Sequence, residues 1–167
     1  KSTVPRILMA TGLEEKDVRY ATGLVATDPF GLLVDDSRLH LLVSALEAAR
    51  ARKSCPSAIL HTPAELFADA VPRQRTLSDQ MLALVRQLGY RAVQAGPYFP
   101  LGVARALERG GVKVCLADGP AFPQRAVKSP REIACIAKSQ RAAVAAVRAA
   151  VRAIREATLT SSGRLKR

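Results

Sequence analysis

Residues 39–60, LHLLVSALEAARARKSCPSAIL, change hydrophobic period twice. Leu39-His40-Leu41-Leu42-Val43 is a dense apolar run of strand length, and Ala45 to Lys53 is Ala/Arg/Leu-rich with helical spacing. Ala58-Ile59-Leu60 is apolar again and is closed by His61-Thr62-Pro63. Strand, helix, strand in that order predicts a crossover unit, with the strands parallel and the helix on one sheet face. Toward the N-terminus, Gly31-Leu32-Leu33-Val34 and the polar turn Asp35-Asp36-Ser37 pair with Leu39 to Val43 as a hairpin. Arg6 to Ala10 is a further short apolar run, ending in Thr11-Gly12.

Toward the C-terminus the alternation continues. Thr62-Pro63-Ala64-Glu65 combines a capping hydroxyl, a proline at the first helical position and a glutamate three residues after the cap, which predicts a helix over Ala64–Ala70. Thr76 with Asp79 opens the next helix, whose stripe Leu77, Met81, Leu84, Val85 and Leu88 ends at Gly89. A strand over Arg91–Gln94, a helix over Leu101–Arg109 stopped by Gly110-Gly111, and a strand over Val112–Ala117 follow. The expected class is α/β, a mixed, mostly parallel sheet with helices on both faces, the leading hairpin supplying the antiparallel component.

Ser129-Pro130-Arg131-Glu132 is another capping box, and nothing breaks the helix it opens before about Ala157. Ile133, Ile136, Val144, Val147, Val151 and Ile154 fall on one face of it, beside a stripe of Arg131, Lys138, Arg141, Arg148, Arg152 and Arg155. Such a helix spans roughly 40 Å, longer than the domain needs, so part of its apolar face is expected to meet a partner surface.

A chain of 167 residues with 49% hydrophobic residues but only 4% aromatics and no Trp implies one aliphatic core and excludes intrinsic disorder. No apolar run reaches the roughly 18 residues of a membrane span, and KSTVPR does not begin a secretory signal, so a cytoplasmic protein is expected. Cys55, Cys115 and Cys135 lie far apart without C-x-x-C spacing, which argues against a disulfide framework and a zinc site. The net charge is +12, of which residues 125–167 carry +9. That block can meet nucleic acid, an acidic lipid surface or an acidic protein domain, and a solvated helix face explains it as well. The absence of an initial Met and the ending GRLKR suggest a piece of a larger protein.

Chemistry-bearing patterns are sparse. G-x-S-x-G, H-E-x-x-H, the P-loop and a strand-following G-x-G-x-x-G are all missing. His40 and His61 read as structural or surface histidines without metal-ligand spacing. Asp35-Asp36 and Glu14-Glu15 are paired carboxylates in turn-like polar runs. No catalytic residue is assigned.

Two stretches nonetheless carry a resemblance: Asp17-Val18-Arg19-Tyr20-Ala21-Thr22-Gly23 ahead of the hairpin, and Arg125-Ala126-Val127-Lys128-Ser129-Pro130-Arg131-Glu132-Ile133 at the start of the long helix. In kind, order and separation they resemble the N-terminal domain of the creatinase/prolidase/aminopeptidase P family. There a Y-x-T-G-like turn leads into the first hairpin, and an R-x-(I/V)-K-S-x-x-E-(I/L) run begins the helix leading to the catalytic domain. The resemblance implies an N-terminal α/β domain at 1–124, a closing helix at 125–157, and a linker or the start of the catalytic domain at 158–167. It implies a non-catalytic part of a metal-dependent Xaa-Pro peptidase or creatinase-like hydrolase, serving dimerisation and gating of the active-site cleft. Two divalent ions, manganese, cobalt or zinc, would be held by two Asp, one His and two Glu of the absent domain, and no position here matches that set. The implied partners are that catalytic domain, a second subunit and the parent's peptide substrate. Tyr20, Asp28 and Phe30 would line a cleft, Asp28 meeting a charged substrate end and Phe30 a proline ring. From the residues themselves, Phe30 as a strand-end core residue and Asp28-Pro29 as a turn explain these positions equally well. Two other readings stay open: a module binding nucleic acid or an acidic partner through the basic helix, and a free-standing α/β domain with a small ligand at the carboxyl ends of its strands.

Overall fold

A computed structural model describes residues 4–10, 15–36, 38–67, 75–159 and 161–166. Two compact units divide the chain, residues 1–125 and 126–167. The first contains β1 (Arg6–Ala10), α1 (Lys16–Thr22), β2 (Phe30–Asp35), β3 (Arg38–Leu42), α2 (Ala45–Ser54), β4 (Ile59–His61), α3 (Pro63–Leu66), α4 (Leu77–Gln87), β5 (Ala92–Ala95), α5 (Leu101–Arg109) and β6 (Lys113–Leu116). Its sheet has the order β4-β3-β2-β1-β5-β6. β2 runs antiparallel to β1 and β3, while β3–β4, β1–β5 and β5–β6 are parallel, so every strand except β2 points the same way. The mixed, mostly parallel sheet expected from the alternation is the one found.

The two-residue period explains why helices cover both faces. Phe30, Leu32 and Leu41 point to one side and pack with Val18 of α1 and with Ala48 and Ala51 of α2. Leu33, Leu42, Ile7 and Val93 point to the other, against Met81, Leu84 and Val85 of α4 and Val103 and Leu107 of α5. The register Leu32↔Leu41, Leu33↔His40 holds each face in line across the hairpin. Gly31 lets α4 approach: a Cβ there would lie 2.0 Å from Met81 Sδ, and Met81 is fully buried.

The segment 17–23 departs from expectation, since it is not a turn but α1 with the turn at its end. Seven residues are too short to show a helical period, yet both ends are capped. Glu15, read above as part of a polar turn, is the N-cap and accepts from the Asp17 N–H, and Gly23 (φ 63°) ends the helix in the left-handed region. The helix expected over Ala64–Ala70 is the single turn α3, capped by Thr62 and Glu65 and ending at Phe67. Residues 68–70 of that expectation, and Thr11-Gly12, Glu14 and Ser37, lie outside the described residues. The strands near 58–60, 91–94 and 112–117 differ from β4, β5 and β6 by about one residue at their ends.

The second unit is dominated by α6 (Pro130–Glu156), 27 residues opened by the Ser129/Glu132 capping box. Ile133, Ile136, Val144, Val147, Val151 and Ile154 are all exposed along it. A small antiparallel pair, β7 (Thr158–Leu159) and β8 (Leu165–Lys166), follows. No helix among the described residues is long and apolar enough to cross a membrane.

The Gly31–Met81 contact is testable. Gly31→Ala is expected to destabilise the chain by about 1–3 kcal/mol through overpacking. In a double-mutant cycle read by urea unfolding, adding Met81→Ala should cost less than the sum of the two single changes, because the truncated side chain makes room for the new methyl.

Candidate functional site

Asp17 and Arg125 stand 108 positions apart in the sequence and meet in the fold. Asp17 lies in the first turn of α1, and Arg125 in a 3-10 turn over Pro123–Ala126. Asp17 Oδ1 accepts from Arg125 Nε at 2.7 Å, and Oδ2 accepts from the Ala121 N–H at 3.3 Å. One helical turn further along α1, Tyr20 lies against Phe122 with ring centroids 6.1 Å apart. The carboxylate is almost covered while the guanidinium stays partly wet, so the pair fastens the 117–125 segment to α1 with a charge-assisted hydrogen bond little weakened by solvent on the Asp side. Both resemblance motifs therefore contribute to one contact, Asp17 from the first and Arg125 from the second.

Beside this clasp lies a crevice of about 400 Å³. Its position follows from the topology. After β1 the chain leaves for α1 on one sheet face, whereas after the neighbouring parallel strand β5 it leaves for α5 on the other. Neighbouring parallel strands whose connections diverge in this way open a gap at their carboxyl ends, where α/β sheets commonly bind ligands. Residues 96–99 after β5 and 117–121 after β6 wall it, β1 lies along its floor, and Glu15, Asp17 and Arg125 stand at it. Arg6 closes one side by donating to the carbonyls of Asp118, Gly119 and Pro120, which holds the loop after β6 in place.

A second polar cluster is buried on the α4/α5 face. His40 Nδ1 lies 3.1 Å from His61 Nε2 with the rings stacked, and His40 Nε2 lies 3.7 Å from Asp35 Oδ2. Asp35 also accepts from Arg38 at 2.6 Å. The Tyr90 hydroxyl, hydrogen-bonded to Asp35, is the main reason that its carboxyl stays below the usual range, while burial and Asp35 together push Tyr90 up. Burial lowers the pKa of His40, and burial with the neighbouring His40 lowers that of His61. The pair is thus a neutral, structural one, with Asp35 favouring the proton on His40 Nε2 and leaving Nδ1 to accept from His61. Among the described residues, no group of three or more His, Cys, Asp or Glu side chains could hold a metal ion.

Of the three residues singled out from the resemblance, Tyr20 is half-exposed on α1 and Asp28 is exposed in the bend before β2. Phe30 is the first residue of β2 and is buried at 2% exposure in the core. Of the residues that build the crevice, Arg125 opened the second resemblance stretch and Glu15 belonged to a carboxylate pair, but nothing in the sequence marked them, or Arg6, as neighbours. An arginine opening an apolar strand was the one hint, because a strand charge needs acceptors nearby.

No family model matches the chain, and no curated protein matches it. Solved structures do. The prolidase from Pyrococcus horikoshii superposes at TM-score 0.66 and 19% identity, over 93% of this chain and 39% of its own. The Pyrococcus furiosus prolidase gives 0.66 at 15% identity, over 89% and 39%. An Xaa-Pro dipeptidase from Bacillus anthracis gives 0.60 at 14%, over 77% and 33%. The fold is that of the prolidase N-terminal domain, and the chain spans between about a third and two fifths of the length of these relatives.

Breaking the clasp should cost stability asymmetrically. Asp17→Ala removes the acceptor of both Arg125 and Ala121 and is expected to lower the unfolding free energy by about 1–3 kcal/mol. Arg125→Ala, at the wetter end, should cost about 1 kcal/mol or less, as read by thermal and urea unfolding. The histidine pair sets a pH dependence. Well above pH 6.5, the ordinary value, neither the folded nor the unfolded chain protonates these imidazoles and their contribution is constant. As the pH falls below it, the unfolded chain takes up protons that the folded one resists, so stability declines until the lowered folded-state values are passed. Asp35 adds a further loss as the pH falls through 3.8 and below. Urea midpoints measured against pH should show this slope, and His61→Gln should flatten its upper part.

Proposed function

We propose that this chain is the N-terminal, non-catalytic domain of a longer metal-dependent Xaa-Pro peptidase or creatinase-like hydrolase. The observation that carries the reading is the Asp17–Arg125 clasp: each partner comes from a different one of the two stretches that resemble the family, within a fold shared with prolidases. A resemblance held only in sequence order could arise by chance, whereas one whose two halves touch describes a single structural joint.

On this reading the domain shapes the entrance to an active-site cleft and contributes to a dimer. Tyr20 and Asp28 are the side chains available at the surface for the first role, Asp28 toward a charged substrate end. Phe30, packed among Val18 and Leu32, anchors the strand that follows the Asp28-Pro29 bend. The exposed apolar stripe of α6 supports a partner surface for the second role, either the catalytic domain or another subunit. On the same reading the parent's two divalent ions, manganese, cobalt or zinc, would be held by the catalytic domain and not by this chain. No step of bond cleavage is assigned to this chain. A cytoplasmic location agrees with the unclustered cysteines, Cys55 buried, Cys115 half-buried and Cys135 exposed, all free.

The decisive experiment compares the chain with the longer protein that contains it. With manganese supplied, the longer protein should hydrolyse Xaa-Pro dipeptides and the chain alone should not. In the longer protein, Tyr20→Phe, which keeps the ring against Phe122, and Asp28→Asn should change the kcat/KM ratio between dipeptides and longer peptides by about tenfold, roughly the 1.4 kcal/mol of one polar contact, with Tm unchanged. Cleavage by the chain alone, or a longer protein lacking the spaced Asp, Asp, His, Glu, Glu set, would overturn the proposal.

A further inference from the structure

The crevice between the carboxyl ends of β1, β5 and β6 has no part in the clasp's structural work, yet it is built like a binding site. At about 400 Å³ it lies within the range of small-molecule pockets, near the lower end of about 300–1,000 Å³. Its walls are largely apolar, with Met9, Phe99 and Leu116 among them. Its charges come in both signs and are only half used. Arg125 spends Nε on Asp17 and keeps both terminal nitrogens without a hydrogen bond among the described residues. Glu15 spends Oε1 on the Asp17 N–H and keeps Oε2 without a hydrogen bond among the described residues. The other two charged side chains are committed, Asp17 through both oxygens and Arg6 to three carbonyls.

We propose that this crevice binds a small zwitterion with an apolar side chain, of free amino acid or dipeptide size. The ligand carboxylate pairs with the terminal nitrogens of Arg125, its ammonium meets Oε2 of Glu15, and its side chain rests on the apolar walls. Asp17 links the two groups: it holds Arg125 from one side while its own N–H is held by Glu15, so the free donor and the free acceptor are positioned through one residue. A fork of guanidinium donors suits a carboxylate, and a purely anionic ligand would be repelled by the unused oxygen of Glu15. A purely apolar ligand would leave both charges desolvated without partners. The site stands apart from the peptidase reading, because it uses residues of this chain alone and would exist in a free-standing domain as well.

The test is an amide-resolved NMR titration of the chain with three probes: L-leucine, L-leucinamide, which lacks the carboxylate, and N-acetyl-L-leucine, which lacks the ammonium. L-leucine is expected to shift the backbone amides of Gly96, Gly119 and Ala121, and each altered probe should bind about tenfold more weakly. Glu15→Gln keeps an oxygen for the Asp17 N–H. It should weaken L-leucine about tenfold while leaving the weaker affinity for N-acetyl-L-leucine unchanged, an outcome that general unfolding would not produce. Absence of shifts at these amides, or equal binding of L-leucine and L-leucinamide, overturns the proposal. Neither result bears on whether the longer protein cleaves Xaa-Pro bonds, so the two readings fail separately.

Discussion

Strands that are apolar at nearly every position must be covered on both sides, and the rest of the first unit follows from that requirement. Leu32 and Leu33, or Leu41 and Leu42, are neighbours in sequence that belong to opposite cores. Burying each such side chain is worth on the order of 1.5–3 kcal/mol, and both cores are built of several of them. Because α1 and α2 serve one face while α4 and α5 serve the other, the connections after β1 and β5 diverge. That divergence opens the crevice, and the cavity is a by-product of covering the sheet rather than a separate invention.

The polar contacts then act on what the sheet has already placed. Arg6 ties down the loop after β6 by its carbonyls, and Asp17 fastens the next segment through Ala121 and Arg125. Together they control where the chain leaves the first unit. α6 begins a few residues further on, at Pro130, with its own capping box.

The buried Asp35–His40–His61 row shows a different use of polarity. Its members lie on the face that carries the α4/α5 core, and His40 Nε2 lacks a hydrogen bond among the described residues. The row therefore costs stability at low pH, and the mutual stacking of the two rings and the Tyr90 and Arg38 contacts to Asp35 offset part of that cost.

The local sequence determined a great deal. Three capping boxes, at Thr62, Thr76 and Ser129, form as their spacing requires, because such a cap is a contact between residues three apart and needs no tertiary help. The hairpin, the strand–helix alternation and α6 were equally legible, since period and punctuation are local properties. α1 was not, being too short for a period to show, and neither were the clasp, the histidine pair nor the crevice. Asp17 and Arg125, or His40 and His61, carry no mark that they belong together. Their proximity exists only once the sheet order has been set by the competition between two cores, and that is a decision the folded chain makes as a whole.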